Sequence, residues 1–517
     1  MSQPNILLIT TDQQRWDALS LWGTPGLHTP NLDRLAREGV CFERAYSSSP
    51  VCTPARVSMI TGQYSTRHGA WTIGMSPVSA LCGPTLGTLF ADAGYRTALI
   101  GKTHFVSRRI EDQHVAGVDL NAACPGSDFW RNFDGPYCGF EFLRHHRHHN
   151  AAGQPNAHYR AWLEDRGVDL PAIDALHGNG VNRPTVGCWN IDPELTQNAW
   201  ITDETARWIS ESHDGRPWLA MANYQDPHYP LICPEPYYSQ VDMSQVDLGG
   251  VADSELNSKP PFYRRFLEGH YWSDDDQTKF WDGINIPDTK LASKQPDPEA
   301  AVRAYLGMCA MVDDYVGRLL DSLRRAGQLE NTLVMFTSDH GELMGRHGMW
   351  GKGTPSYDDN QRIPMLMWWG GDRGAGLGRG LVPAHASLVD LLPTACDAAA
   401  ISLPPGVQGI SQLPVVRGEV ESVRDWALID HVASRNILHP ELDTVDLHQT
   451  TLVHNGWKIV VYAHTERYGE LYHLEVDPDQ LENRWHQDLE QRHTMLLRLA
   501  RAEMERSGTL PTRIAPA

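Results

Sequence analysis

The run "NILLITT" (residues 5–11) has an uninterrupted apolar centre, Ile6 to Ile9, and passes through two threonines into Asp12 and Gln13. A strand with one face in water alternates, whereas a continuous β-branched run suits a strand buried on both faces of a parallel sheet. Three more runs behave alike: "TALIG" (97–101) leads to Lys102 and His104, "PWLAMANYQD" (217–226) to His228, and "NTLVMFTS" (331–338) to Asp339 and His340. Helical patterns lie between them, at 29–39, 84–94 and 301–327, the last closed by Gly327. Strand alternating with helix predicts an α/β fold in which ligands bind outside the carboxyl ends of the strands. One crevice then collects all the polar residues that end these runs. Two carboxylates, imidazoles and a lysine suit a hard divalent cation beside an anion site.

The chain has 517 residues, too many for one ordinary core, so two domains are expected. The larger is placed at 1–400 and the smaller at 401–517, where "WALIDHV" (426–432), "TTLVHNGWKIVVYA" (450–463) and "GELYHLEV" (469–476) predict a short antiparallel sheet with a closing helix near 486–506. With 44 basic and 64 acidic residues the net charge is −20, which repels phosphate backbones and argues against nucleic-acid and acidic-lipid partners. No apolar run approaches the ~20 residues of a membrane span. The N-terminus shows no secretory pattern, and nine cysteines without a CxxC spacing fit a reducing compartment, so a cytoplasmic location is expected. A homo-oligomer is left open.

In "SSSPVCTPARVSMITGQY" (47–64), Thr53 and Pro54 are placed at the cap and first turn of a helix, with Cys52 at its mouth. Such a mouth stabilises an anion, and Arg56, about one turn on, adds a charged fork. A cysteine-phosphatase loop has five residues between Cys and Arg, whereas three stand here. For the cysteine alone, a buried core thiol is the simpler account.

The segment "PVCTPARVSMITG" (50–62) resembles the sulfatase signature, in which the cysteine of Cys-x-Pro-x-Arg is oxidised to formylglycine. "NILLITTDQQ", "GYRTALIGKTH" (94–104), "DPHYP" (226–230), "TSDHGELMGRHGMWGKGTPSYDDNQRIPMLMW" (337–368) and "ELYHLEVDPDQLENRW" (470–485) resemble further landmarks of that family, so the likeness spans most of the chain. It implies an alkaline-phosphatase-like mixed, mostly parallel sheet flanked by helices. It also implies a formylglycine-generating modifying enzyme as partner and a small sulfate ester as substrate. By motif position Asp12, Gln13, Asp339 and His340 would hold one divalent metal, Ca²⁺ or Mn²⁺ with Mg²⁺ also compatible, together with residue 52. Arg56, Lys102 and Lys352 would bind sulfate oxygens and the nucleophile; His104 and His228 would handle protons, His228 at the leaving group. One hydroxyl of the hydrated aldehyde would attack sulfur, and the second would expel sulfate by C–O cleavage.

Two pairs depart from the commoner pattern: Asp12-Gln13 replaces paired aspartates and Asp339-His340 replaces Asp-Asn, which puts ligation by Gln13 in question. These pairs resemble phosphonate monoester hydrolases and choline sulfatases, so phosphonate monoester or phosphodiester hydrolysis is the alternative, and an inactive anion-binding relative a third reading. Lys102 and His104 tilt the choice to sulfate esters. The segment "LRHHRHHN" (143–150) reads as a solvated or substrate-facing loop rather than a metal tract, with His145, His146, Arg147, His148 and His149 as candidate pocket residues. Tryptophan-rich pieces at 127–133 and 270–283 are candidates for the same wall.

Overall fold

The computed structural model describes residues 3–71, 83–105, 127–146, 155–176, 186–211, 215–251, 255–267, 297–374, 380–433, 447–463 and 465–507. Its strands are β1 (Asn5–Thr11), β2 (Val40–Tyr46), β3 (Arg96–Gly101), β4 (Phe142–His145), β5 (Val186–Cys188), β6 (Trp218–Asn223), β7 (Leu231–Cys233), β8 (Thr332–Ser338), β9 (Met365–Trp369) and β10 (Gly380–Ser387). Eight of them form one sheet in the order β10-β2-β9-β8-β1-β6-β3-β4. All its neighbours pair in parallel except β9, which runs antiparallel to both β8 and β2. β5 and β7 make a small parallel pair of their own.

Both faces of this sheet are covered, which is why its strands lack alternation. Leu7 and Ile9 of β1 face a core shared with the helices Pro30–Glu38, Gln197–Ser210 and Pro298–Arg325, while Ile6 and Leu8 face a second core shared with Cys52–Thr61, Leu86–Asp92 and Leu391–Ala399. The four runs that the sequence singles out are β1, β3, β6 and β8, and they are contiguous as β8-β1-β6-β3. Their registers align Thr11 with Ser338, Thr10 with Asn223, and Asn223 with Gly101. The four carboxyl ends therefore finish in one row, and the residues after them share one crevice. Gly101 is needed there: its φ is 100° and a Cβ would collide with the Asn223 carbonyl oxygen.

A second sheet is an antiparallel meander of β11 (Trp426–Ala433), β12 (Leu447–His454), β13 (Trp457–Tyr462) and β14 (Glu470–His473). The helix Leu489–Ser507 covers it through Met495, Leu499 and Ala502, in a cluster that also takes in Tyr64 and Val389 of the large layer. Tyr46, at the end of β2, packs against Ala427, Ile429 and Val453, so the two sheets share buried apolar surface. The fold class is thus the mostly parallel α/β sheet plus small antiparallel sheet that the sequence leads one to expect. Among the described residues no helix is long and apolar enough to cross a membrane.

Four imidazoles in the interior, His68, His158, His385 and His431, are pushed down by burial to about 3, 4, 3 and 3 respectively. Because these values lie below that of an unfolded histidine, ~6.5, the unfolded chain takes up protons first as the pH falls. Stability from these groups is intact above about pH 6.5 and erodes below it, at up to ~1.4 kcal/mol per pH unit for each. We expect the melting temperature to fall steadily from about pH 6.5 downward. A flat profile down to about pH 4.5 would show that these rings charge without cost.

Candidate active site

Cys52 is the first residue of the helix Cys52–Thr61, so the cap is Val51 and not Thr53 as the sequence suggests. Val51 has extended backbone and no capping side chain, which leaves the opening turn to be met by the residues of the crevice. Asp12 and Gln13 follow β1, Asp339 and His340 follow β8, and Asp339 N–H donates to the Thr11 carbonyl at 3.2 Å. Lys102 N–H donates to the Asn223 carbonyl at 3.0 Å, and Asn223 Nδ2 returns a bond to the Lys102 carbonyl at 2.7 Å. Backbone ladders and one buried amide thus carry strand register into side-chain placement.

The side chains converge. One ligand atom each from Asp12, Cys52, Asp339 and His340 lies within 4.8 Å of the others, all four residues buried. Cys52 Sγ is 3.2 Å from His340 Nε2 and 3.7 Å from Asp12 Oδ1. Lys352 Nζ reaches Cys52 Sγ at 2.9 Å and His340 Nε2 at 3.1 Å, while Lys102 Nζ pairs with Asp12 Oδ2. Arg56, wholly buried, donates Nε–H to Asp339 Oδ2 at 2.8 Å and lies 3.8 Å from Asp12 Oδ2 through Nη2. Burial works to raise Asp339, yet His340, Arg56, Lys102 and Lys352 together hold its carboxyl below the usual carboxylate range. Burial pushes the Cys52 thiol up, with Lys352 opposing. The thiol therefore sits as a neutral group among charges.

This donor set fits a hard divalent cation. His340 Nδ1–H donates to the Gly341 carbonyl at 2.9 Å, which turns the Nε2 lone pair toward the cluster. Gln13 donates its backbone N–H to Asp339 Oδ1 at 3.0 Å, and its side-chain Oε1 is buried with no hydrogen-bond partner. Asp12, Cys52, Asp339 and His340 together could hold a metal ion. Gln13 and His104 both hold positive φ, 70° and 56°, as expected where a strand is made to turn sharply into a site.

The other expected residues flank this cluster. His104, His228 and Lys352 are partly exposed, while Lys102 is buried at 3% exposure. His228 donates Nδ1–H to the Tyr229 carbonyl at 2.6 Å, and burial, followed by the charges of Lys352 and Lys102, holds its imidazole well below the ordinary histidine value.

The histidine segment is corrected in part. His145 and His146 are buried at 4% and 1% exposure, not solvated. His145 Nδ1 meets Thr103 Oγ1 at 3.2 Å, and His146 is held between Gln197 and Gln225, so both brace the loops behind Lys102 and His228. Arg147, His148, His149 and the stretch 270–283 lie outside the described residues. Trp130, from the other tryptophan-rich piece, packs into a small core with Ala157 and Phe133. Sequence reasoning missed Glu342, which receives Gln13 Nε2 and the N–H groups of Met344 and Gly351. Its only sequence signal is a carboxylate two residues beyond His340, which a loop residue supplies as readily.

Residues 4–401 match the Sulfatase family, and residues 345–506 match the family described as N-sulphoglucosamine sulphohydrolase, C-terminal. The chain is 30% identical over 420 residues to the uncharacterized sulfatase YidJ of Escherichia coli (strain K12), a match that covers 80% of this chain and 71% of that protein. It is 28% identical over 447 residues to an arylsulfatase of Clostridium perfringens, covering 83% of this chain and 82% of the relative. Among solved structures, the phosphonate monoester hydrolase of Agrobacterium radiobacter superposes with a TM-score of 0.75 at 25% identity, covering 98% of this chain and 96% of that one. The fold is that of the alkaline-phosphatase-like class. Within that class the chain belongs to the sulfatase family and is a sulfuric ester hydrolase.

Proposed function

We propose that the protein hydrolyses small sulfate monoesters, with Cys52 oxidised to formylglycine and one divalent cation held by Asp12, Gln13, Asp339, His340 and residue 52. The observation that carries this reading is the convergence of Cys52 with Asp12, Asp339 and His340 inside 4.8 Å, at the end of a helix whose fourth-following residue, Arg56, anchors both carboxylates. When bound, the cation supplies Lewis acidity at a sulfate oxygen and lowers the pKa of a hydroxyl on residue 52. A hydrated aldehyde there provides one hydroxyl for attack and a second whose deprotonation releases sulfate.

The remaining work falls to the chain itself. Arg56 fixes the two carboxylates from behind and adds a positive charge that does not need to move. Lys352, partly exposed, and Lys102, buried beside Asp12, are assigned to the sulfate oxygens, where their ammonium groups would counter the charge that develops during transfer. His228 is assigned to the leaving group. His104 is placed as a second proton-handling group. We place the division between the catalytic unit and the smaller unit near residue 400.

Phosphonate monoester or phosphodiester hydrolysis is the second reading, favoured by the close superposition with the Agrobacterium phosphonate monoester hydrolase. Paired kinetics on an aryl sulfate and the matching phenyl phosphonate monoester separate the two. The proposal expects the larger kcat/KM on the sulfate; a clear preference for the phosphonate replaces it with the second reading.

A further inference from the structure

The backbone of Gln13 is pinned at both ends. Its N–H donates to Asp339 Oδ1 at 3.0 Å, and its carbonyl accepts from the Tyr305 hydroxyl, on the long helix Pro298–Arg325, at 2.9 Å. What the backbone leaves undetermined is which way round the side-chain amide lies, because its oxygen and nitrogen have nearly the same shape. Glu342, 3% exposed, settles this. One carboxylate oxygen accepts the backbone N–H of Met344 at 3.1 Å and that of Gly351, the residue before Lys352; the other accepts Gln13 Nε2. Two of these neighbours are backbone N–H groups, which can only donate, and the third is the amide nitrogen of Gln13, which leaves Oε1 as the buried, unpartnered atom.

We propose that Glu342 is a positioning residue: it fixes the amide of Gln13 so that oxygen, not nitrogen, is presented to the cation, and ties that orientation to the segment carrying Lys352. The inference rests on the metal site proposed above. It gives a physical role to an amide where a second aspartate is the commoner residue. An aspartate presents oxygen whichever way it turns, whereas a glutamine needs a partner that accepts only.

The substitution Glu342→Gln tests this with almost no change of shape. The Met344 and Gly351 N–H groups demand an oxygen, so the amide introduced at position 342 turns its nitrogen toward residue 13. The Gln13 amide is then forced to flip and put NH₂ where its oxygen stood. Calorimetric titration of chelator-stripped protein with Mn²⁺ is expected to show affinity lowered about 10–100-fold, the usual reach of a group that orients a ligand. The metal-free melting temperature should change little. The exchanged pair, Gln13→Glu with Glu342→Gln, again offers oxygen to the cation and is expected to recover most of the affinity, which a merely structural role for Glu342 would not predict. Unchanged Mn²⁺ affinity in Glu342→Gln, or no recovery in the exchanged pair, overturns the inference while leaving the site itself in place. Should Glu342→Gln not fold, Gln13→Ala is expected to show a similar loss, and unchanged affinity there overturns the inference equally. Wild-type protein that binds neither Mn²⁺ nor Ca²⁺ overturns the proposed metal site, and the inference with it.

Discussion

Cys52→Ser, confirmed by mass to carry an unmodified serine, is expected to release one equivalent of alcohol from an aryl sulfate and then stop. The serine hydroxyl can attack sulfur at the position that Sγ occupies, beside Lys352 and His340. The S–O bond to the alcohol breaks, the alcohol leaves with the proton, and the enzyme keeps a sulfated serine. With only one oxygen on that carbon, no second hydroxyl exists to expel sulfate by C–O cleavage. Steady-state turnover should fall by roughly 10³-fold or more, with a burst no larger than the enzyme concentration. Cys52→Ala should show neither burst nor turnover. Full steady-state activity in an unmodified serine variant would mean that release does not depend on a geminal pair of oxygens.

The second large effect is on stability as well as rate. Arg56 is the fully buried counter-charge to Asp339, and a more distant one to Asp12, so Arg56→Ala leaves Asp339 without its hydrogen-bonded partner in the interior while Asp12 keeps Lys102. Removing one partner of such a buried pair costs about 3–5 kcal/mol. We expect a loss of unfolding free energy of that size, read from the denaturation midpoint, and loss of turnover together. Arg56→Lys keeps a charge but not the fork that spans two carboxylates, so it should recover part of the stability and little of the activity. A variant that is inactive yet as stable as wild type would show that Arg56 acts on substrate alone and not on the carboxylates.

The fold is legible from β1, β3, β6 and β8 because burial on both faces strips alternation from a strand and leaves a signal that no surface element mimics. Their contiguity in the sheet then places the residues after them in one crevice. The antiparallel run of β9 carries no such mark, since "MLMWW" (365–369) is as apolar as its parallel neighbours and direction is set by the connection, not the composition. Thr53 looks like a cap because threonine commonly is one, but the helix starts two residues earlier, at Cys52 behind Val51. His145 and His146 look solvated because polar tracts usually are; the glutamines that satisfy His146, Gln197 and Gln225, stand 51 and 79 residues away in the chain. Glu342 escapes notice for the same reason, as its partner Gln13 lies 329 residues upstream.

The central claim is that Cys52 serves as the precursor of an aldehyde. It is tested most directly by the mass of the tryptic peptide spanning residues 45–56, taken from enzyme that is fully active and was made in a host with the modifying machinery. The account predicts that the side chain of residue 52 has lost one sulfur and two hydrogens and gained one oxygen. An intact thiol at that position in fully active enzyme would contradict it.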